Sequence, residues 1–469
     1  MKKILSLGKQ DWLKGYAISQ YSELGGLFYA AGGIDIWRFP GALIPGYPAT
    51  DLSGAVIADN PVTFQGVIVG NVGYMFVYGS VGKIYRLATA SDSGLALAKT
   101  VANSQGQGLA LLGGKLIYVQ NTQVGTATSL DAATATDISF TDNAATGLTS
   151  VANHPIVIGA DKNAYIGDDD GVARFDGVTT LTLDVFTVPT DEEVRALAND
   201  GYYLVVGTGG DSVNTGLATG KSKVYFWDMG ANTPLRIWEV NGDLNALIAY
   251  DGNTYAFTTG GIYVCNISQP PILLLDNTLL NLPEATSVDI WRGMIGWGST
   301  NVFYTFGSID RRFPKVLAAP FSGIGTAVTG LKVWNAGRSN SKLYVGSSTN
   351  KLYVMKTGVQ TSVNAQTVKI DLKRCWKITG IKIHTQPLAS GDSLTVDVIG
   401  DKDTNIINGQ TFTFSSDGAV TSKFINTLNT SVDNRTEEIS IKLTFSAGSV
   451  YVKRVDLFGE PERDYYAER

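Results

Sequence analysis

The sequence predicts an all-β protein built around a propeller, and three observations lead there. Of 469 residues, 53 are Gly, 44% are hydrophobic and 17% are charged, which favours turn-rich sheet over helix. A phrase then keeps returning: a turn, an alternating apolar run, a glycine corner and a second short apolar run. It reads "DGNTYAFTTGGIYVCN" from Asp251, with near-versions "GYMFVYGSVGKIYRL" from Gly73, "GYYLVVGTGG" from Gly201 and "SKLYVGSSTNKLYVM" from Ser341. The strands after those turns begin at Tyr74, Lys115, Pro155, Tyr202, Asn253, Met294 and Lys342. Their spacing of roughly 40 to 50 residues is that of propeller blades, and the returns predict a seven-bladed ring. Helices should be few.

Residues 1–55 do not carry the repeat. Their stretch "GGLFYAAGGIDIWRFPGALIPGYPA" is broken by prolines and glycines, so it reads as an extended segment. Phe28, Tyr29, Trp37 and Phe39 would pin it to the propeller or to a neighbour, and part of it would add a strand to the last blade. Residues 56–358 are the propeller. The windows Tyr202–Val206 and Val224–Trp227 are apolar at nearly every position, as a strand buried between two blades must be. Gly79, Gly207, Gly260 and Gly346 are expected at corners between strands, where a positive φ costs glycine nothing. From residue 359 to 460 the alternation becomes regular, with turns at roughly ten-residue spacing, which predicts an antiparallel β-sandwich. Val368, Ile370, Leu372, Ile439, Ile441 and Leu443 should face its core. Residues 461–469, containing "RDYYAER", read as a tail that docks on something.

The charge balance narrows the function. With 37 basic and 42 acidic residues and a pI near 5.2, the chain has no polybasic footprint for reading nucleic-acid sequence. The apolar run Ile4 to Gly8 is too short for a signal peptide, and no window approaches the length of a membrane span. A soluble protein folded in a cytoplasm is expected. Cys265 and Cys375 fall in different domains, each inside an apolar run, and read as buried free thiols.

Candidate chemistry is sparse. The two histidines, His154 and His384, are too few for a zinc site or a His-based triad. Gly207-Thr208-Gly209-Gly210 lacks the helix that would make it cradle phosphate, and reads as a long blade loop. Asp168, Asp169 and Asp170 could hold a cation, and Asp401, Asp403 and Asn405 copy the first half of a calcium loop. That loop is not completed, because Ile406 stands where it needs glycine and Phe412 where it needs glutamate, so solvated turns are expected at both places. Trp227, Trp238, Trp291, Trp297 and Trp334 could stack on sugars, yet their strand phrases favour blade packing. No catalytic, cofactor-binding or metal-binding residue is therefore assigned.

Two motifs carry a resemblance. The phrase D-x-x-x-x-P-G-x-L runs from Asp35 to Leu43, and K-R-x-x-x-I-x-G-I is matched by Lys373, Arg374, Ile378, Gly380 and Ile381. With a closing strand and charged tail at Val452 to Glu462, and a propeller lacking Trp-Asp or kelch motifs, the chain resembles the β-propeller structural proteins of tailed-bacteriophage tails. The resemblance, of the nozzle or hub kind, implies a non-enzymatic virion protein assembled in the host cytoplasm. It would form a homo-oligomeric ring, a nozzle, hub or tail collar, around the channel used in DNA ejection. Its partners would be copies of itself and neighbouring tail, adaptor or portal-side proteins, with genomic DNA passing without sequence-specific contact and no cofactor. Larger nozzle proteins carry insertions for which this chain has no length, leaving a compact hub, a gatekeeper ring or a tail-side decoration open. Two other readings compete: a carbohydrate- or receptor-binding propeller, and a glycosidase acting through the loop around Asp169.

Overall fold

The computed structural model describes residues 2–15, 27–54, 57–102, 108–151, 153–210, 220–276, 287–308, 315–334, 342–356, 358–401 and 403–462. Along the chain, each group of four consecutive strands folds into its own antiparallel sheet. Five such sheets follow one another, from Pro61–Val69 through Ser93–Thr100, Leu109–Leu112 through Ser139–Thr146, Ile156–Ile158 through Leu181–Thr187, Glu192–Asn199 through Arg236–Asn241, and Leu244–Tyr250 through Ile272–Asp276. A seven-stranded sheet completes the propeller. Within it the long strand Val316–Trp334 pairs with Thr300–Gly307 through its first half and with Lys342–Ser347 through its second. The outer edge of Lys351–Met355 is taken by Thr50–Asp51, so the N-terminal segment does add the closing strand.

The recurring phrase is the second strand of each sheet, buried on both faces because a neighbouring sheet packs on either side. Met75, Phe76, Val77 and Tyr78 have no exposed surface, nor do Leu116, Ile117, Tyr118 and Val119. Two of the expected strand starts need correction. Pro155 precedes a first strand, Ile156–Ile158, and the buried second strand of that sheet is Ala164–Asp168. Tyr202 lies in the turn before Leu204–Gly210 and is 82% exposed.

The glycine expectation also changes. Gly207 and Gly346 are not corners but mid-strand residues, and Gly207-Thr208-Gly209-Gly210 is strand rather than loop. A Cβ on Gly207 would come within 2.8 Å of Leu247, and one on Gly346 within 2.3 Å of the Pro61 carbonyl oxygen. These glycines let the adjoining sheet approach; period-two patterning alone could not tell that use from a turn.

The C-terminal part is a sandwich whose two sheets share Arg435–Ala447. Ile378, Ile381 and Ile383 of one sheet meet Leu394, Val396 and Val398 of the other in a common core. Ile439, Ile441 and Leu443 are buried there as expected, while Ile370 and Leu372 are only partly buried. Residues 1–55 are not a separate extended segment. Lys2–Leu7 pairs with Val452–Pro461, and Phe28–Gly32 pairs with Val363–Thr367, so this segment supplies an edge strand to each sandwich sheet. Between them Trp12 is buried, donates Nε1–H to the Lys453 carbonyl at 2.9 Å and stacks on Phe28. Phe28 and Trp37 are anchors, as expected; Phe39 stays exposed but meets Tyr451 edge-on, and the side chain of Tyr29 lies outside the described residues. Trp37, Leu43, Phe303, Phe321, Ile378 and Leu443 belong to a single apolar cluster, which makes propeller and sandwich one packed body. The tail at 463–469 lies outside the described residues.

Candidate functional site

The first strands of successive sheets converge on the propeller axis. They leave a cavity of about 110 Å³, lined by residues including Leu109, His154, Ile156, Arg195 and Leu247. His154 is fully buried; its Nδ1 donates to the Gly167 carbonyl at 2.8 Å, and its Nε2 has no hydrogen-bond partner. Asp168 lies 3.7 Å from the same ring, and burial pushes its carboxyl above the ordinary value although it accepts the Thr149 N–H at 2.7 Å. His384 is remote from this pair, on the outer face of the sandwich, where Nε2 contacts Asp456 at 3.0 Å. Burial and the Arg454 cation hold its pKa below the ordinary value. The structure thus separates the two histidines. Among the described residues no group of three or more His, Cys, Asp or Glu side chains converges as metal ligands would.

The other aspartates singled out by sequence have structural partners. Asp401 accepts from Thr436 Oγ1 and from the N–H groups of Glu437 and Glu438, and Asp403 pairs with Lys369 at 3.0 Å. Asp169 and Asp170 accept through their carbonyls from Val194 and Val188, which fixes the step into the next sheet. Cys265 is buried, which pushes its thiol up to about 12, and Cys375 is half-buried; both are free. Trp227, Trp291 and Trp297 are in the core, so they offer no surface for stacking.

Sequence reasoning missed a recurring pair in which a strand tyrosine donates its hydroxyl to a carboxylate: Tyr118 to Asp142 at 2.7 Å, Tyr165 to Asp161 at 2.9 Å, Tyr225 to Glu192 at 2.8 Å. The fourth instance joins the two ends of the ring. Asp92 of the first sheet accepts from Tyr344, Lys342 and Lys356 of the seven-stranded sheet, with Lys342 Nζ at 2.8 Å. Burial opposes ionisation of Asp92, but these donors outweigh it and hold the carboxyl below the ordinary value.

Within each sheet the turn between the first and second strands and the turn between the third and fourth lie at the same end, because the strands are antiparallel. Contacts between sheets hold these ends on one face: Lys115 Nζ donates to the Gly177 carbonyl at 3.2 Å, just as Lys342 reaches Asp92. On the third, fourth and fifth sheets this face carries exposed Val178, Tyr202, Leu235, Ile237, Ile272 and Leu273. The aspartates Asp161, Asp176, Asp200, Asp228 and Asp251 stand in the same turns. Asp176 and Asp200 cap their turns by accepting backbone N–H groups, which holds their side chains at the turn tips.

The outer face of the sandwich is built differently. Register places Lys3, Gly380 and Phe458 in one row, and Ser6, Asp456, Lys382 and Phe424 in the next. Phe424 lies edge-on to Phe458 at 5.5 Å and over Gly380, where a Cβ would meet its ring at 2.6 Å. Lys3, Lys377, Lys382 and Arg454 surround the two rings, against Glu460 and a buried Asp456 that accepts from Ser6 at 2.6 Å.

No family model and no curated protein matches the sequence. Among solved structures the chain is similar to Raptor of Chaetomium thermophilum, at 12% identity and a TM-score of 0.46, over 67% of this chain and 29% of that one. It is similar also to BBS1N in complex with ARL6DN, at 10% identity and a TM-score of 0.44, over 66% of this chain and 97% of that one. The WD40 domain of Neurospora crassa Pan2 matches at 10% identity and a TM-score of 0.46, over 68% of this chain and 96% of that one. The chain thus spans less than a third of the Raptor chain's length. The functional reading rests on this chain's own geometry. Its surface residues had one sequence signal, an apolar residue placed directly after a turn Asp-Gly, as in Asp176-Gly177-Val178 and Asp200-Gly201-Tyr202.

Proposed function

We propose that the protein is a non-enzymatic structural component of a bacteriophage tail, assembling as a homo-oligomeric ring around the DNA channel. The observation that carries this reading is the fusion of propeller and sandwich through the N-terminal segment. Residues 2–7 and 28–32 complete the sandwich, residues 50–51 complete the propeller, and one apolar cluster runs through both. A part that transmits load in an assembly needs such a body, whereas a hinged enzyme or a flexible receptor binder does not. We read the propeller as seven-bladed, because Val316–Trp334 serves two four-stranded units at once.

The axial cavity of about 110 Å³ is far too small for a DNA duplex, so the conduit would lie between copies rather than through one propeller. A net charge of −5 supports passage without retention, since few cations are offered to the phosphates. Mass spectrometry of purified virions is expected to find the chain, and cryo-microscopy to place several copies of it around the tail axis. A virion lacking it, or holding it away from the tail, would reject the reading.

A further inference from the structure

Two surfaces of the molecule remain without a role, and they are complementary. The turn face of the third to fifth sheets combines exposed apolar tips with aspartates on consecutive blades. The outer face of the sandwich combines an aromatic pair, exposed Phe424 and half-buried Phe458, with lysines and an arginine. Each has the composition of an interface centre, apolar with a charged surround, and the net charges are of opposite sign: five aspartates against Lys162 and Arg236 on the turn face, four cations against Asp456 and Glu460 on the sandwich. The two surfaces lie on different domains, and no described residue of the third to fifth sheets belongs to the apolar cluster that holds the sandwich.

We infer that the sandwich face around Phe424, Phe458, Lys377 and Lys382 docks on the turn face around Val178, Tyr202 and Ile272 of a second copy of this chain. The inference rests on the ring reading above and names the contact that makes the ring. Because the two surfaces differ, the contact is head-to-tail, and head-to-tail contacts close into rings when the rotation per copy allows. A contact between two like faces would set cation against cation or carboxylate against carboxylate, so the sandwich face of one copy meets the turn face of another. The attraction is screened by salt, so assembly is to weaken as ionic strength rises.

The test uses the full chain in sedimentation experiments at low and high salt. One variant, Lys377→Glu with Lys382→Glu, reverses the sandwich face. The other, Val178→Lys with Ile272→Lys, adds cations to the turn face while leaving the capping aspartates in place. All four positions are solvent-accessible, and circular dichroism checks that each variant is folded. Wild type is expected to assemble at low salt and dissociate at high salt. Each variant alone is expected to raise the apparent dissociation constant about a hundredfold, since like charges face each other at every contact. An equimolar mixture of the two is expected to assemble again, because each variant then meets its complement on the other. Wild-type assembly that neither variant weakens, or folded variants whose mixture stays monomeric, would overturn this contact and leave the ring reading standing. A wild type that stays monomeric at both salt concentrations would overturn both.

Discussion

Asp92 is the residue on which ring closure turns. Its carboxylate has almost no exposure and faces two ammonium groups and a hydroxyl from the opposite end of the propeller. Asp92→Asn keeps the shape but leaves Lys342 and Lys356 facing a neutral amide, and is expected to cost about 3 kcal/mol, at the low end because the lysines reach partly into solvent. Tyr344→Phe removes one donor of several and should cost about 1.5 kcal/mol. Denaturant unfolding at several pH values checks both. The folded-state pKa of Asp92 lies below its unfolded value, so its contribution is present above about pH 4 and is lost as pH falls through the folded value. The gap between wild type and Asp92→Asn should therefore shrink in acid. None of this was legible in sequence: Asp92 lies in a turn with nothing to mark its partners, 250 residues away for Lys342.

Among the elements, the N-terminal strand Lys2–Leu7 depends on the residues just after it. Trp12 holds the helical turn Lys9–Trp12 to the last strand through one hydrogen bond and a buried ring. Trp12→Ala is expected to cost about 3 to 5 kcal/mol. Hydrogen exchange should show the amides of residues 2–7 losing protection first, because their strand is otherwise largely exposed. Loss of stability with those amides still protected would show the strand to be anchored elsewhere. Elements inside the propeller were readable from sequence because each sheet pairs with what is adjacent in the chain. Lys2–Leu7 was not, because its apolar pattern says that it pairs but not with what, and its partner lies some 450 residues on. The turn face escaped for a related reason: local patterning reports burial, whereas a surface is defined by which turns the ring brings together.

For the whole molecule, the shared apolar cluster predicts one thermal transition rather than two. Propeller and sandwich would have to divide Trp37, Leu43 and Phe321 to unfold separately, and none of these can leave the core without exposing both sides. Calorimetry should give a single peak whose van't Hoff and calorimetric enthalpies agree; two separable peaks would show the domains to be independent. The pairing of Lys2–Leu7 with Val452–Pro461 also orders events in time. During synthesis the sheets of the propeller can form one after another, but Lys2–Leu7 must wait until its partner, some 450 residues later in the chain, has left the ribosome. An interrupted chain therefore lacks the sheet that carries Lys377, Lys382 and Phe424. Only a molecule made through to that strand would present the surface proposed to join copies, so on that proposal chains broken off before it would be kept out of an assembly without any separate inspection.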